Sequence, residues 1–223
     1  MIKNLVRGFS ALSLALVPLL WAPTAQAAPA PEVTTLADAV GLVKVTDEDR
    51  PGYTRSKFKH WNAGDDKSDG CNTRNEVLLA EAVVAPVVKA GCKLTGGTWI
   101  SYYDGQEVTS ASSLDIDHMV PLAEAWDSGA SAWTAARREA YANDQSSAVS
   151  LVAVTARSNR QKSDQDPADW MPSSPEAQCR YVGEWVSTKL RWQLTADARE
   201  LEALQIYTEG PCKDTIIRYT PAA

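Results

Sequence analysis

The sequence predicts a single α+β domain in which a small strand–strand–helix unit is embedded in a largely helical chain. An apolar, β-branched segment begins at Leu114 and is stopped by Pro121, and a second runs from Leu151 to Thr155. Both have the composition of strands. Thr155 is then placed to cap a short polar helix that contains Asn159 and Lys162.

A hairpin signal and two longer helical patterns accompany that unit. Asp104-Gly105 interrupts an aromatic and β-branched segment from Trp99 to Thr109, which predicts a short β-hairpin. Ser174 and Pro175 open an amphipathic helix that reaches about Gln193. Thr195 is expected to cap a last helix.

The strand–strand–helix unit carries side chains suited to phosphodiester hydrolysis, which needs a base for water and a cation for phosphate charge. His118 offers a base that is neutral near neutral pH. Asp117 and Asn159 offer oxygens that suit a hard cation such as Mg²⁺. Three basic side chains beside Asn159 are candidates for phosphate contacts: Arg157, Arg160 and Lys162.

Strand geometry sets a condition on this site. Strict alternation places Asp115 and Asp117 on one face of the strand and His118 on the other. Asp117 and His118 therefore converge only if the strand ends or bulges there, and Pro121 favours an end. The alternative is that Asp117-His118 is a surface dipeptide and 158–163 a solvated charged segment.

Two segments together resemble the ββα-metal core of His-Asn-His (HNH) endonucleases: Asp-Ile-Asp-His-Met-Val-Pro at 115–121 and Ser-Asn-Arg-Gln-Lys-Ser-Asp at 158–164. The resemblance implies that His118 is the base and that Asp117 and Asn159 bind one Mg²⁺ or Mn²⁺, with Asp115 in support. HNH proteins often carry an asparagine where this chain has Ser150. That asparagine usually braces a loop, so Ser150 changes the support of the site more than its chemistry.

A second block strengthens the resemblance. Cys-x-Thr-Arg-Asn-Glu-Val-Leu at 71–78 is similar to a block of secreted bacterial HNH-family proteins related to the C-terminal nuclease domain of GmrSD-type restriction enzymes. In that resemblance Arg74 and Glu76 flank the active site. Arg74 would bind phosphate, and Glu76 would orient it or a metal-bound water. The alternative is an ion pair on a helix surface. The segment Tyr-Ala-Asn-Asp at 141–144 recurs in the same relatives.

The first 27 residues have the pattern of a secretory signal peptide. Lys3 and Arg7 precede an apolar stretch at 12–21, and Ala-Gln-Ala at 25–27 fits a cleavage site. A retained membrane anchor is the alternative. We expect residues 28–35 to be a flexible lead-in and 36–223 to form one nuclease domain. The mature protein is expected to be secreted, without membrane contact.

The chain is acidic, which disfavours nucleic-acid binding. Loss of Lys3 and Arg7 changes the formal net charge from −6 to −8. Contact with an anionic polymer must then rely on local basic patches. The segment 53–61 interleaves basic and aromatic residues, a mixture that would contact nucleic acid by charge and stacking. The alternative places Phe58 and Trp61 in the core.

The four cysteines predict two disulfides in an exported chain. Three connectivities are possible, and the local choice is Cys71–Cys92 with Cys179–Cys212. A four-cysteine zinc site is the alternative, but the chain has no Cys-x-x-Cys pair.

The function that these features predict is a secreted, metal-dependent endonuclease that hydrolyses phosphodiester bonds, with DNA as the expected substrate and RNA left open. Low sequence specificity is expected because no base-reading module is visible. Two alternatives remain: an inactive secreted binding or wall-associated protein on an HNH-like frame, and a different metal-dependent hydrolase of an anionic polymer.

Overall fold

The computed structural model describes residues 29–222 and confirms the α+β class. The predicted signal segment, 1–27, lies outside the described residues. The strands are β1 (Glu32–Thr35), β2 (Val87–Lys89), β3 (Lys93–Thr95), β4 (Trp99–Ser101), β5 (Gln106–Val108), β6 (Leu114–His118), β7 (Leu151–Thr155) and β8 (Ile216–Tyr219). The α-helices are α1 (Leu36–Leu42), α2 (Thr73–Ala80), α3 (Leu122–Asp127), α4 (Ala135–Ala142), α5 (Ala156–Lys162), α6 (Pro175–Trp192) and α7 (Ala198–Glu209).

The pair β6–β7 is the centre of the fold. The strands are antiparallel, with Asp117 opposite Val152 and His118 opposite Leu151. Helix α5 follows β7 without a loop, because Thr155 caps it by accepting a hydrogen bond from the Ser158 amide. The predicted order of strand, long connection, strand and helix is confirmed.

Both faces of β7 are buried, which explains its continuous apolar sequence. Val152 and Val154 face a large core that includes Tyr181 and Trp185 of α6. Leu151 and Ala153 face a smaller core, formed with residues of α2, β4 and β6. The unit is therefore enclosed between two hydrophobic cores, and the candidate functional residues Asp117 and His118 lie at the end of β6.

The N-terminal lead-in differs from the prediction. Residues Glu32–Thr35 are not a flexible segment but strand β1, paired antiparallel with β8 at the other end of the chain. The Tyr219 hydroxyl donates to the Glu32 carboxylate, 2.7 Å away. The composition of 28–35 does not predict this pairing, because the partner strand β8 lies far away in sequence.

The predicted hairpin Trp99–Thr109 is confirmed as β4–β5, and β2–β3 is a further hairpin that was not predicted. Helix α6 agrees with the prediction, whereas α7 is capped by Asp197 rather than Thr195. The Thr195 hydroxyl instead donates to the Ser128 carbonyl. None of the helices in residues 29–222 is long and apolar enough to span a membrane.

The predicted local disulfides are confirmed. Cys71 pairs with Cys92 and Cys179 with Cys212, and no cysteine is free in the described chain. The first bridge ties the start of α2 to the β2–β3 turn, and the second ties α6 to the segment after α7.

Reduction of the two bridges should lower the free energy of unfolding by about 2–5 kcal/mol per bridge, because each cross-link restricts the unfolded chain. Urea unfolding with and without reducing agent measures the loss. Thiol titration of denatured, unreduced protein should find no free thiol, and two or more reactive thiols per chain would contradict the pairing.

Candidate active site

A cavity of about 530 Å³ opens at the end of β6. It lies between that strand end, the start of α3, one face of α5 and the segment before Phe58. The lining residues used below are Tyr53, Arg55, Asp117, His118, Asn159 and Arg160. The structure thus brings together the predicted base, both predicted metal ligands and one predicted phosphate contact.

Asp117 and His118 converge without a bulge. The β6–β7 register is regular through His118, and one further backbone hydrogen bond joins the Met119 amide to the Ser150 carbonyl. The two side chains leave opposite faces of the strand, but the strand ends there and the cavity borders both. The strand end that Pro121 indicated therefore resolves the alternation problem.

His118 is held as a neutral imidazole with a defined tautomer. Its Nε2 lies 3.0 Å from the Ala142 carbonyl oxygen, which can only accept, so Nε2 carries the proton and Nδ1 has the free lone pair. Burial lowers the pKa of His118 to about 3, although the hydrogen bond to Ala142 opposes that shift. The ring is stacked against Trp61 and Tyr141.

The Ala142 carbonyl is positioned by a buried polar network two residues further on. The Asp144 carboxylate accepts two hydrogen bonds from Arg191, at 2.7 and 2.8 Å, and one from the Trp192 indole at 2.9 Å. The Ser150 hydroxyl donates to the same carboxylate at 2.7 Å. Ser150 therefore braces the connection between the motif strands.

Asp117 is buried and compensated by two donors. Lys162 Nζ lies 2.6 Å from its Oδ2, and the Tyr103 hydroxyl donates to the same oxygen at 2.6 Å. Burial raises the pKa of Asp117 and lowers the pKa of Lys162, while their mutual attraction opposes both shifts.

The interpretation of Lys162 as a phosphate contact is wrong. Its side chain is fully buried and also donates to the His118 carbonyl at 3.0 Å. Helical spacing gives the reason, because Lys162 and Ser158 are four residues apart and both are buried on the same face of α5. This lysine joins α5 to β6 and does not reach solvent.

The donor set fits a hard cation. Asn159 uses its Nδ2 to donate to Asp115, 3.3 Å away, so its Oδ1 remains a potential ligand. Asp117 uses Oδ2 for both of its donors, so its Oδ1 also has no hydrogen bond within residues 29–222. Mg²⁺ keeps several of its waters when bound, so one carboxylate oxygen and one amide oxygen suffice as protein ligands.

Arg160 and Arg157 point to different sides of α5. Arg160 borders the cavity with a side chain that is 76% exposed, and its Nε lies 3.6 Å from Asp115. Arg157 is also exposed but lines a separate cavity with Thr155 and Ser173. The two arginines therefore do not form one phosphate patch.

Arg74 and Glu76 do not border the cavity. Arg74 donates to the carbonyls of Ala111 and Leu114, which holds the start of β6. Glu76 accepts from the backbone amides of Asp65 and Asp66, and from the Gln145 side chain. Both side chains bind other groups of this chain and hold neighbouring segments in place. This geometry does not support the predicted contacts of Arg74 with phosphate and of Glu76 with a metal-bound water.

Three groups at the site were not named individually from the sequence: the Tyr103 hydroxyl, the Ala142 carbonyl and the Arg55 side chain. The alternating basic and aromatic residues of 53–61 were a signal for Arg55, which is exposed and borders the cavity. Phe58 is fully buried, as the alternative interpretation of that segment predicted. The Ala142 carbonyl carries no side-chain signal, although the Tyr-Ala-Asn-Asp segment contains it.

Comparison with known proteins places this geometry in a family. Residues 90–205 match the family of GmrSD restriction endonucleases, C-terminal domain, which is more than half of the chain. The chain belongs to this family. The GmrSD C-terminal match includes both motif strands and α5, whereas Arg74 and Glu76 precede it.

A relative from a fungus has a similar sequence. An uncharacterized secreted protein of Arthroderma benhamiae is 40% identical over 164 residues, which cover 74% of this chain and 78% of that protein. No solved structure matches the chain.

The buried neutral His118 should make stability depend on pH. Its folded pKa of about 3 lies below the unfolded value of about 6.5, so its contribution is complete above pH 6.5 and is lost as pH falls toward 3. Between pH 7 and pH 5 the wild type should lose about 2 kcal/mol from this group. Urea unfolding of His118→Asn at both pH values should lack that loss, and the matched control His60→Asn should retain it. Equal pH dependence in wild type and His118→Asn would contradict the assignment.

Proposed function

We propose that this chain is a secreted, divalent-metal-dependent endonuclease that hydrolyses phosphodiester bonds of DNA. The observation that carries the proposal is His118, held with a proton-free Nδ1 at a cavity that Asp117 and Asn159 also border. Family membership supports a nuclease. Two disulfides, the predicted signal peptide and the name of the fungal relative support export.

The strand, strand and helix order of the unit β6–β7–α5 supports a ββα-metal core. In this proposal Asp117, at the end of the first strand, and Asn159, in the closing helix, hold Mg²⁺ or Mn²⁺. When bound, such a cation neutralises charge on the scissile phosphate and stabilises the leaving oxygen. Asp115 orients the Asn159 amide by accepting from its Nδ2, which leaves Oδ1 for the metal.

His118 accepts the proton of the attacking water at Nδ1. The Ala142 carbonyl keeps the other nitrogen protonated and fixes the ring orientation, so the lone pair stays at Nδ1. A pKa of about 3 makes this imidazole neutral but a weak base. A phosphodiester anion beside it would raise that pKa, because a nearby negative charge favours the imidazolium, whereas a cation held by Asp117 and Asn159 would lower it.

Arg55 and Arg160 are the basic side chains proposed to grip the phosphates that flank the cleaved bond. Both are exposed at the rim of the cavity. They supply a local positive patch on a chain of net charge −6. Backbone contacts of this kind position the polymer without reading bases, so low sequence specificity is part of the proposal.

An inactive binding protein on the same frame is the second candidate. One observation favours it: Lys162 already neutralises Asp117, which weakens the attraction of that carboxylate for a cation. Incubation of plasmid DNA with the purified protein, with Mg²⁺ and with a chelator, separates the two. Cleavage that the chelator abolishes supports the nuclease, and DNA binding without cleavage supports the second candidate.

His118→Ala should lower turnover by about 10²–10⁴-fold, because it removes the general base and leaves the metal ligands in place. Turnover is measured on plasmid DNA at saturating Mg²⁺, with the fold checked by circular dichroism. DNA affinity and Mg²⁺ affinity should survive in this variant. Asn159→Ala should instead raise the Mg²⁺ concentration needed for half-maximal turnover, and His60→Ala should change little. Near-native turnover of His118→Ala would show that the base lies elsewhere.

Arg160→Ala should reduce the salt dependence of DNA binding. One lost phosphate contact lowers the slope of log affinity against log salt by about 0.9 on duplex DNA. Arg157→Ala is the matched control, because it removes the same charge from the other side of α5 and should leave the slope unchanged. Fluorescence anisotropy over a salt series measures both slopes. Equal slopes for wild type and Arg160→Ala would place the phosphate contacts elsewhere.

A further inference from the structure

A group of acidic side chains lies apart from the residues of the candidate active site. Carboxylate oxygens of Glu48, Glu124 and Asp127 all lie within 4.8 Å of one another. Glu48 also belongs to a second such group, with Asp166 and Asp197. Glu124 and Asp127 are three residues apart on α3, so they project from one face of that helix.

The backbone holds Glu48 between these acids. Two residues before it, the Thr46 amide donates to the Ala196 carbonyl, beside Asp197. The next residue, Asp49, donates its amide to the Asp127 carbonyl at 3.4 Å. The backbone that carries Glu48 is therefore tied to the segments that carry Asp127 and Asp197.

Asp127 provides a second, independent sign of a ligand. Its side chain is 1% exposed, and its Oδ2 accepts from Arg50 Nε at 2.5 Å. Its Oδ1 is buried and has no hydrogen-bond partner among the described residues. A buried carboxylate oxygen without a partner is costly, and a bound ion is one of the standard explanations.

The nearby cations do not balance these charges. Arg50 is shared between Asp127 and Asp164. Lys189 is shared between Glu124 and Glu200, at 2.9 and 2.5 Å. Each cation thus already serves two carboxylates, while Glu48, Asp166 and Asp197 add three more acids.

We propose that Glu48, Glu124 and Asp127 hold a structural Ca²⁺ ion. Ca²⁺ binds oxygens at 2.3–2.6 Å, so two of its ligands lie at most about 5 Å apart, and the three carboxylate oxygens, all within 4.8 Å of one another, meet that condition. Ca²⁺ also tolerates irregular coordination, as three carboxylates from a loop and one helix face would give.

The ion would fasten the wall of the active-site cavity. Glu48 belongs to the segment that leads to Tyr53 and Arg55, and Glu124 follows cavity residues at the start of α3. Asp166 and Asp197 extend the negative surroundings to the turn after α5 and to the cap of α7. The site uses none of the residues proposed for catalysis, so it stands or fails separately from the nuclease.

The test is thermal unfolding of the EDTA-treated mature protein with added CaCl₂. At a Ca²⁺ concentration about one hundred times the dissociation constant, the wild-type Tm should rise by about 5–10 °C. Glu48→Gln should raise the Tm without Ca²⁺, because it removes repulsion, and should abolish the rise with Ca²⁺. Glu48 is exposed, so this variant should fold. Glu107→Gln, an exposed acid on β5, is the matched control and should behave as wild type.

Three results would overturn the proposal: no Ca²⁺-dependent rise in wild type, an undiminished rise in Glu48→Gln, or loss of the rise in Asn159→Ala. The last would place the ion in the active-site cavity. An equal rise with MgCl₂ at the same concentration would overturn the choice of Ca²⁺.

Discussion

The buried ion pair between Asp117 and Lys162 is the interaction on which the candidate site depends. It joins the end of β6 to the last turn of α5, and Lys162 also donates to the carbonyl of His118. A buried pair of this kind adds little net stability, but loss of one partner leaves an uncompensated charge. Its value here is positional, because it fixes the strand end that carries the proposed base against the helix that carries Asn159. The same pair leaves one oxygen of Asp117 for a cation and limits how strongly that oxygen attracts it.

The long connection between β6 and β7 contributes directly to the site. It returns α4 to the strand end, so that the Ala142 carbonyl reaches His118. The four hydrogen bonds to Asp144, two of them from Arg191 in α6, hold that carbonyl in place. The tautomer of His118 is therefore set by the helical part of the domain. A strand–strand–helix unit taken alone would keep the residues and lose their orientation.

Charge is distributed unevenly around the cavity. Arg55 and Arg160 lie at its rim, while Glu48 meets the two acids of α3, Glu124 and Asp127, outside the lining of the cavity. An anionic polymer is repelled by the net charge of −6 and attracted by the local arginines. A cation bound at Glu48, Glu124 and Asp127 would reduce the repulsion and tie together the segments that carry the rim. The two proposed cation sites would then have different tasks, one chemical and one structural.

Features that depend on neighbours along the chain could be predicted from the residue types: the two motif strands, the Thr155 cap, the β4–β5 hairpin and the local disulfides. The sequence also identified Asp117, His118 and Asn159, which the structure brings to one cavity. The basic residues that face that cavity could not be predicted in the same way. Lys162 is buried and Arg157 lies on the side of α5 away from the cavity, because packing and not composition sets the orientation of α5 against β6. The sequence also did not predict three other features: the β1–β8 pairing, the contacts of Arg74 and Glu76, and the role of the Ala142 carbonyl. Each depends on partners distant in sequence, and backbone groups in particular leave no mark in the residue types.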